Sequence, residues 1–204
     1  MAKWGWAVVI LAASLSAQSV RTEDIAVGKF LVAHRKLADP NFAESVVLIV
    51  HRDKTGTIGL IINQRTRLTL AKIFEDVKGA AGQTDSMYFG GPVEPRGVMA
   101  LIRTSDAPAN SEHVFGDIYL MSRKTQLDKT IATQPDPKHF RAFMGYSGWG
   151  IGQLETEMKT GSWFVFPGSP SIVFDPAPKS VWEKLIQRTE QQLAILFNFP
   201  PEFK

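Results

Sequence analysis

The sequence predicts a single α+β domain, and three observations carry that prediction. Short segments rich in β-branched and aromatic residues recur along the whole chain, and helical periodicity is confined to four stretches. No regular strand–helix–strand alternation of the kind that builds a parallel sheet is present. The 204 residues suit one domain, and neither an internal repeat nor a Gly/Pro/Ser-rich linker divides them.

Gly28 to His34 reads as the first strand, followed by a turn at Asp39-Pro40-Asn41-Phe42. Val46 to His51 is an unbroken apolar run suited to a central strand, and Asp53-Lys54-Thr55-Gly56 turns it back into a strand over Thr57 to Asn63. Apolar residues on both faces of this hairpin predict burial on both sides. Leu70, Ile73, Phe74 and Val77 have helical spacing behind Thr69 as cap, with Gly79 as stop. Gly90-Gly91-Pro92 then specifies a tight turn or bulge before a strand at Val98 to Ile102. His113 to Met121 predicts one strand, and Ser122 is placed to cap a helix over Lys124 to Thr133. Alternation at 139–144 leads a strand into Gly145. The segment Gly145-Tyr-Ser-Gly-Trp-Gly-Ile-Gly152 reads as a glycine-shaped loop before a short helix from Gln153 to Met158. A strand at Ser162 to Phe166, a short segment at Val173-Phe174 and a final helix from Val181 to about Leu196 follow, and the residues from Asn198 are expected to fray.

The 23 basic and 20 acidic residues are interspersed, with no run of five like charges, so a nucleic-acid partner is not expected. The absence of cysteine excludes disulfides, thiolate metal sites and a cysteine nucleophile. Lys3 followed by an apolar run from Trp4 to Leu15 has signal-peptide length, too short to span a bilayer comfortably, and Ala17-Gln18-Ser19 supplies small residues for cleavage before Val20. The expectation is therefore a leader at 1–19, a folded domain at 20–204, no stable transmembrane span after processing, and a periplasmic or secreted location. A mis-assigned start would instead leave the protein in the cytoplasm.

No catalytic constellation stands out. Gly145-Tyr146-Ser147 begins like the Gly-x-Ser-x-Gly elbow, but Trp149 stands where the last glycine is required, so Ser147 reads as a turn residue. Glu155 and Glu157 lie two apart in a helix, point in different directions, and read as a solvated face. The histidines at 34, 51, 113 and 139 have no metal-ligand spacing, and the glycine clusters lack the endings of phosphate loops, so neither a metal nor a cofactor is expected. Tyr146, Trp149 and Trp163 form an aromatic set that reads as core or as a ligand platform.

Four segments together resemble the YqgE/AlgH family: Gly-Lys-Phe-Leu-Val-Ala-His-Arg-Lys-Leu-Ala-Asp-Pro-Asn-Phe at 28–42, Gly-Thr-Ile-Gly-Leu-Ile-Ile-Asn at 56–63, Phe-Gly-Gly-Pro-Val at 89–93 and Gly-Tyr-Ser-Gly-Trp-Gly-Ile-Gly-Gln-Leu-Glu-Thr-Glu at 145–157. The resemblance covers residues 28–198. It implies a strongly bent, bifurcated and mostly antiparallel sheet forming a pseudo-barrel, flanked by helices, with no assigned enzymatic activity. Some members carry a transcriptional-regulator label, but this chain has no helix-turn-helix signature. Arg35 stands where the family has proline, and Gln64-Arg65 where a basic residue and proline follow the asparagine. The expected function is a non-enzymatic, exported protein that binds a protein or small-molecule ligand, the alternative being a cytoplasmic regulator that binds nucleic acid or a regulatory partner. The expected binding groove is formed by Asn63, Gly90, Gly91, Pro92, Tyr146, Ser147, Trp149, Gly152 and Gln153.

Overall fold

The computed structural model describes residues 25–197, so the leader at 1–19 and the terminal residues from 198 lie outside the described residues. The α+β expectation holds: ten strands make one curled sheet with short helices against it. Its main path runs β10 (Trp163–Pro167), β1 (Lys29–Ala33), β2 (Val46–Arg52), β3 (Gly56–Ile61), β9 (Phe140–Gly150), β6 (Val93–Arg103), β8 (Ile118–Met121) and β7 (Glu112–Phe115). The predicted hairpin is present, β2 pairing antiparallel with β3 through a bulge between Ile49 and His51. Val46 to Ile49 and Leu60 to Ile61 are fully buried, because helices or the opposite wall of the curl cover both faces. The curl carries β7 round to the start of β1, where Phe115 packs against Gly28 and Gly168. A Cβ at Gly28 would lie 2.9 Å from Phe115 Cβ, so the closure needs a bare backbone there.

The sheet forks at β9. Its first half pairs with β6 from Phe140 to Met144 and, on its other edge, in parallel with β5 (Ser86–Phe89) at Phe143 and Met144. Its second half leaves β5 and pairs with β3 from Ser147 to Gly150. β4 (Arg65–Thr69) continues the branch as the partner of β5. The α-helices of the described residues are α1 (Leu70–Ile73), α2 (Lys124–Ala132), α3 (Gln153–Lys159), α4 (Pro170–Val173) and α5 (Val181–Phe197). A large apolar core fills the curl, and a second, smaller core of Leu70, Met87, Met121, Leu127, Ile131 and Phe140 lies under α1 and α2.

Four sequence expectations change. The segment from Gly145 to Gly150 is strand rather than loop, because its backbone finds ladder partners on β3 and on Val93. His113 to Met121 divides into two strands of a hairpin at Gly116, whose φ of +52° admits the turn. α1 ends at Ile73 rather than Val77, although Thr69 caps it as predicted by accepting the Lys72 N–H. The cap of α2 is Arg123 rather than Ser122, and it offers no side-chain hydrogen bond.

Two surface features close the frame. Arg35, at the family's proline position, bonds Glu190 Oε1 at 2.7 Å and Glu183 Oε1 at 2.9 Å and lies 5.0 Å from the Trp182 ring centre. The Trp182 indole donates to Ala33 O at 2.8 Å, so the same side chains dock α5 on β1. At the β2–β3 turn, Asp53 Oδ1 accepts from both the hydroxyl and the N–H of Thr55, at 2.6 and 2.7 Å. These bonds, with help from His51, hold the Asp53 carboxyl at about 2, below its ordinary 3.8. The folded pKa is depressed, so the contribution is present above the ordinary value of 3.8 and is lost as pH falls through about 2. Asp53→Asn is expected to flatten the pH dependence of urea unfolding in that window, with a matching loss at neutral pH that stays small because the group is solvent-exposed; an unchanged acid slope would refute this.

Candidate functional site

The two glycine-rich segments do meet, as backbone against backbone. Gly90 donates its N–H to Met144 O at 2.8 Å, and its carbonyl accepts from the Ile61 N–H at 3.0 Å and the Ser147 hydroxyl at 3.0 Å. A Cβ on Gly90 would fall on the Gly145 carbonyl oxygen, and one on Gly91 would fall on the Tyr146–Ser147 peptide. This contact lies where β9 changes partners from β5 to β3. Ser147 is fully buried, and Pro92 points into solvent from the turn that follows.

Asn63 is interior too. Its Oδ1 accepts the Val46 N–H at 2.8 Å and its Nδ2 donates to Glu44 O at 2.8 Å, where Glu44 has the left-handed φ of +55°. The amide thus ties the end of the hairpin to the turn that precedes β2. Asn63→Ala is expected to cost about 1–3 kcal/mol by leaving the buried Val46 N–H unpaired. A change in the urea midpoint checks this, and a shift within error would count against it.

Trp149 and Trp163 are core, and Tyr146 packs half-buried against it. Trp149 and Trp163 meet edge to face at 6.0 Å between ring centres, and Phe42 stacks on Trp149 at 5.7 Å. Both indole N–H groups donate to one oxygen, Glu157 Oε2, at 3.0 and 2.9 Å. Gln153 completes the arrangement by donating to Glu157 Oε1 at 3.0 Å and accepting the Gly150 N–H at 3.2 Å. Gly152, with φ +74°, makes the turn into α3. The glutamates at 155 and 157 therefore do not form a plain solvated face: Glu157 braces the tryptophans, and Glu155 binds Arg52 at 2.7 Å, which lowers its pKa. Sequence spacing showed that the two carboxylates point apart but not what each one meets.

A different place has the makings of a site. Beside β5 and the start of β9 a pocket of about 250 Å³ is walled by Leu70, Phe140, Ala142, Phe174 and Pro176. Arg141 lines it while only 5% exposed. Its guanidinium lies 4.6 Å from the Tyr88 ring centre and 5.7 Å from that of Phe174, and it donates to the carbonyls of Ile62 and Asp175. Arg65, on the same wall, donates to the Tyr88 hydroxyl at 3.2 Å and lies 5.7 Å from the same ring centre. Lys138 and Asp85 complete the charged lining. Burial pushes the Arg141 pKa down, Tyr88 opposes this, Arg65 adds to it and Asp175 opposes it again. An arginine nonetheless stays protonated, so the pocket holds a fixed positive charge.

None of these pocket residues was among the sequence-predicted site residues. The signal available was weak: a charged residue at 141 in an otherwise apolar strand, and Arg65 at a departure from the family pattern.

Comparison with known proteins agrees with the four-segment resemblance. The family model DUF179, described as AlgH-like, matches residues 30–194. A UPF0301 protein of Streptomyces avermitilis is 32% identical over 184 residues, covering 86% of this chain and 92% of that protein. A UPF0301 protein of Desulforapulum autotrophicum is 34% identical over 172 residues, covering 81% and 89%. The solution structure of the AlgH protein from Pseudomonas aeruginosa is similar with a TM-score of 0.67 at 28% identity, over 86% of this chain and 95% of that one. A crystal structure of a Corynebacterium diphtheriae protein shares the fold with a TM-score of 0.66 at 24% identity, over 86% and 93%.

Proposed function

The chain belongs to the AlgH-like family, and from that starting point we propose that it is a non-enzymatic binding protein whose ligand enters the pocket beside Arg141. One observation carries the reading: a guanidinium sunk among aromatic rings at the wall of a cavity, with no ion-pair partner among the described residues. Buried charges are ordinarily paired, because burying an isolated one costs several kcal/mol. A binding partner that supplies the missing charge accounts for its presence. The glycine junction and the tryptophan–glutamate brace serve this reading as the scaffold that holds β5 and β9 in place. The leader-type residues at 1–19 support an extracytoplasmic location as part of the proposal.

The test is an NMR titration of the full-length protein with a small fragment set containing anionic and neutral members. The expected result is shift changes clustered on Tyr88, Phe140, Arg141, Ala142 and Phe174. Changes clustered instead at Gly145 to Gln153, or none at all, would overturn the reading. N-terminal sequencing of fractionated native protein tests the location, and an intact Met1 in the cytosol would remove that part.

A further inference from the structure

We propose that the ligand of the Arg141 pocket is a small organic monocarboxylate with a flat apolar body, such as an aromatic or short branched-chain acid. This rests on the binding reading above and adds the chemical class. Charge is the first argument. A guanidinium carries five N–H groups, and Arg141 directs only two bonds, both to carbonyls that cannot neutralise it. The Asp175 carboxylate acts on Arg141 only through space, its oxygens being bonded to others, Oδ1 to the Ala177 N–H at 2.7 Å and Oδ2 to Lys184 at 3.2 Å. Arg65 and Lys138 add two more cations to the lining against the single carboxylate of Asp85.

Shape and lining give the second argument. A planar carboxylate matches the guanidinium fork with two parallel hydrogen bonds, and Arg141 is itself held between ring faces at a fixed orientation. The remaining wall is apolar. An inorganic anion would lose hydration against Leu70, Phe140 and Phe174 without gaining contacts there, whereas a hydrocarbon body gains burial. The volume of about 250 Å³ lies below the roughly 300–1,000 Å³ of drug-sized ligand sites, which limits the ligand to fragment size.

The experiment uses the full chain and three probes followed by NMR and calorimetry: benzoate, its neutral analogue benzamide, and inorganic phosphate. Benzoate is expected to bind at the pocket at least ~10-fold tighter than benzamide, the equivalent of one charge-assisted hydrogen bond, and tighter than phosphate. Arg65→Gln, at an exposed position of the lining, is expected to weaken benzoate several-fold and benzamide by a smaller factor. Arg141→Met is expected to abolish the preference for benzoate; should it fail to fold, the wild-type comparison still decides. Equal binding of benzoate and benzamide overturns the carboxylate assignment while the pocket reading survives. Tighter binding of phosphate overturns the organic-acid class. No response at the pocket to any probe removes the inference and the binding reading together.

Discussion

Gly91→Ala is expected to destabilise the domain by about 3–5 kcal/mol, enough to prevent folding of a marginally stable protein. At this position φ is +150°, a region that side chains avoid, and the new methyl would fall on the Tyr146–Ser147 peptide. Neither side can give way. Gly91 follows the Gly90 backbone that is bonded to Ile61, Met144 and Ser147, and β9 is held by β6 and β3 on either side of the contact. Two comparison variants separate the causes. Gly116→Ala has positive φ but open space around it, and should cost only about 1 kcal/mol. Gly150→Ala has neither problem and should be near neutral. Urea unfolding of the three variants checks the order, and a Gly91→Ala protein as stable as Gly116→Ala would refute the close-approach argument.

Glu157→Ala is expected to cost about 2–4 kcal/mol, because it strands two buried indole donors at once. Trp149 and Trp163 are 3% and 2% exposed, so water cannot readily replace the lost acceptor. Glu157→Gln keeps an acceptor oxygen and should lose about half as much, since a neutral oxygen bonds less strongly than a carboxylate. Tryptophan emission should shift in Glu157→Ala even under conditions where the fold is retained. A loss below about 0.5 kcal/mol would show that the shared oxygen contributes nothing to stability.

Apolar runs located β1, β2, β3 and the hairpin because burial on both faces leaves a direct trace in composition. Local glycine density marked 90–91 and 145–152 as unusual backbone, which they are. It could not distinguish a groove from a backbone-to-backbone contact, since both require the absence of side chains. The β7–β8 hairpin reads as one strand in sequence because Gly116-Asp117 is a minimal turn between two apolar stretches. β4 leaves no signal in sequence because its residues, Arg-Thr-Arg-Leu-Thr, carry too few apolar side chains to mark a strand on the branch of the sheet.

The sequence by itself determined the family, the single α+β domain, and the chemistry excluded by the lack of cysteine. Those follow from composition, periodicity and ordered local motifs, all of which are properties of neighbours along the chain. Only the tertiary structure decided that Glu157 serves two tryptophans, that Gly91 is closed in by Tyr146, and that Arg141, Arg65 and Tyr88 share one pocket. Arg65, Tyr88 and Arg141 lie on strands that meet because β9 changes its neighbour halfway along its length. The pocket comes from strand pairing across tens of residues, and the tryptophan brace from the way α3 folds back between β9 and β10; neither is written in the spacing of apolar and polar residues.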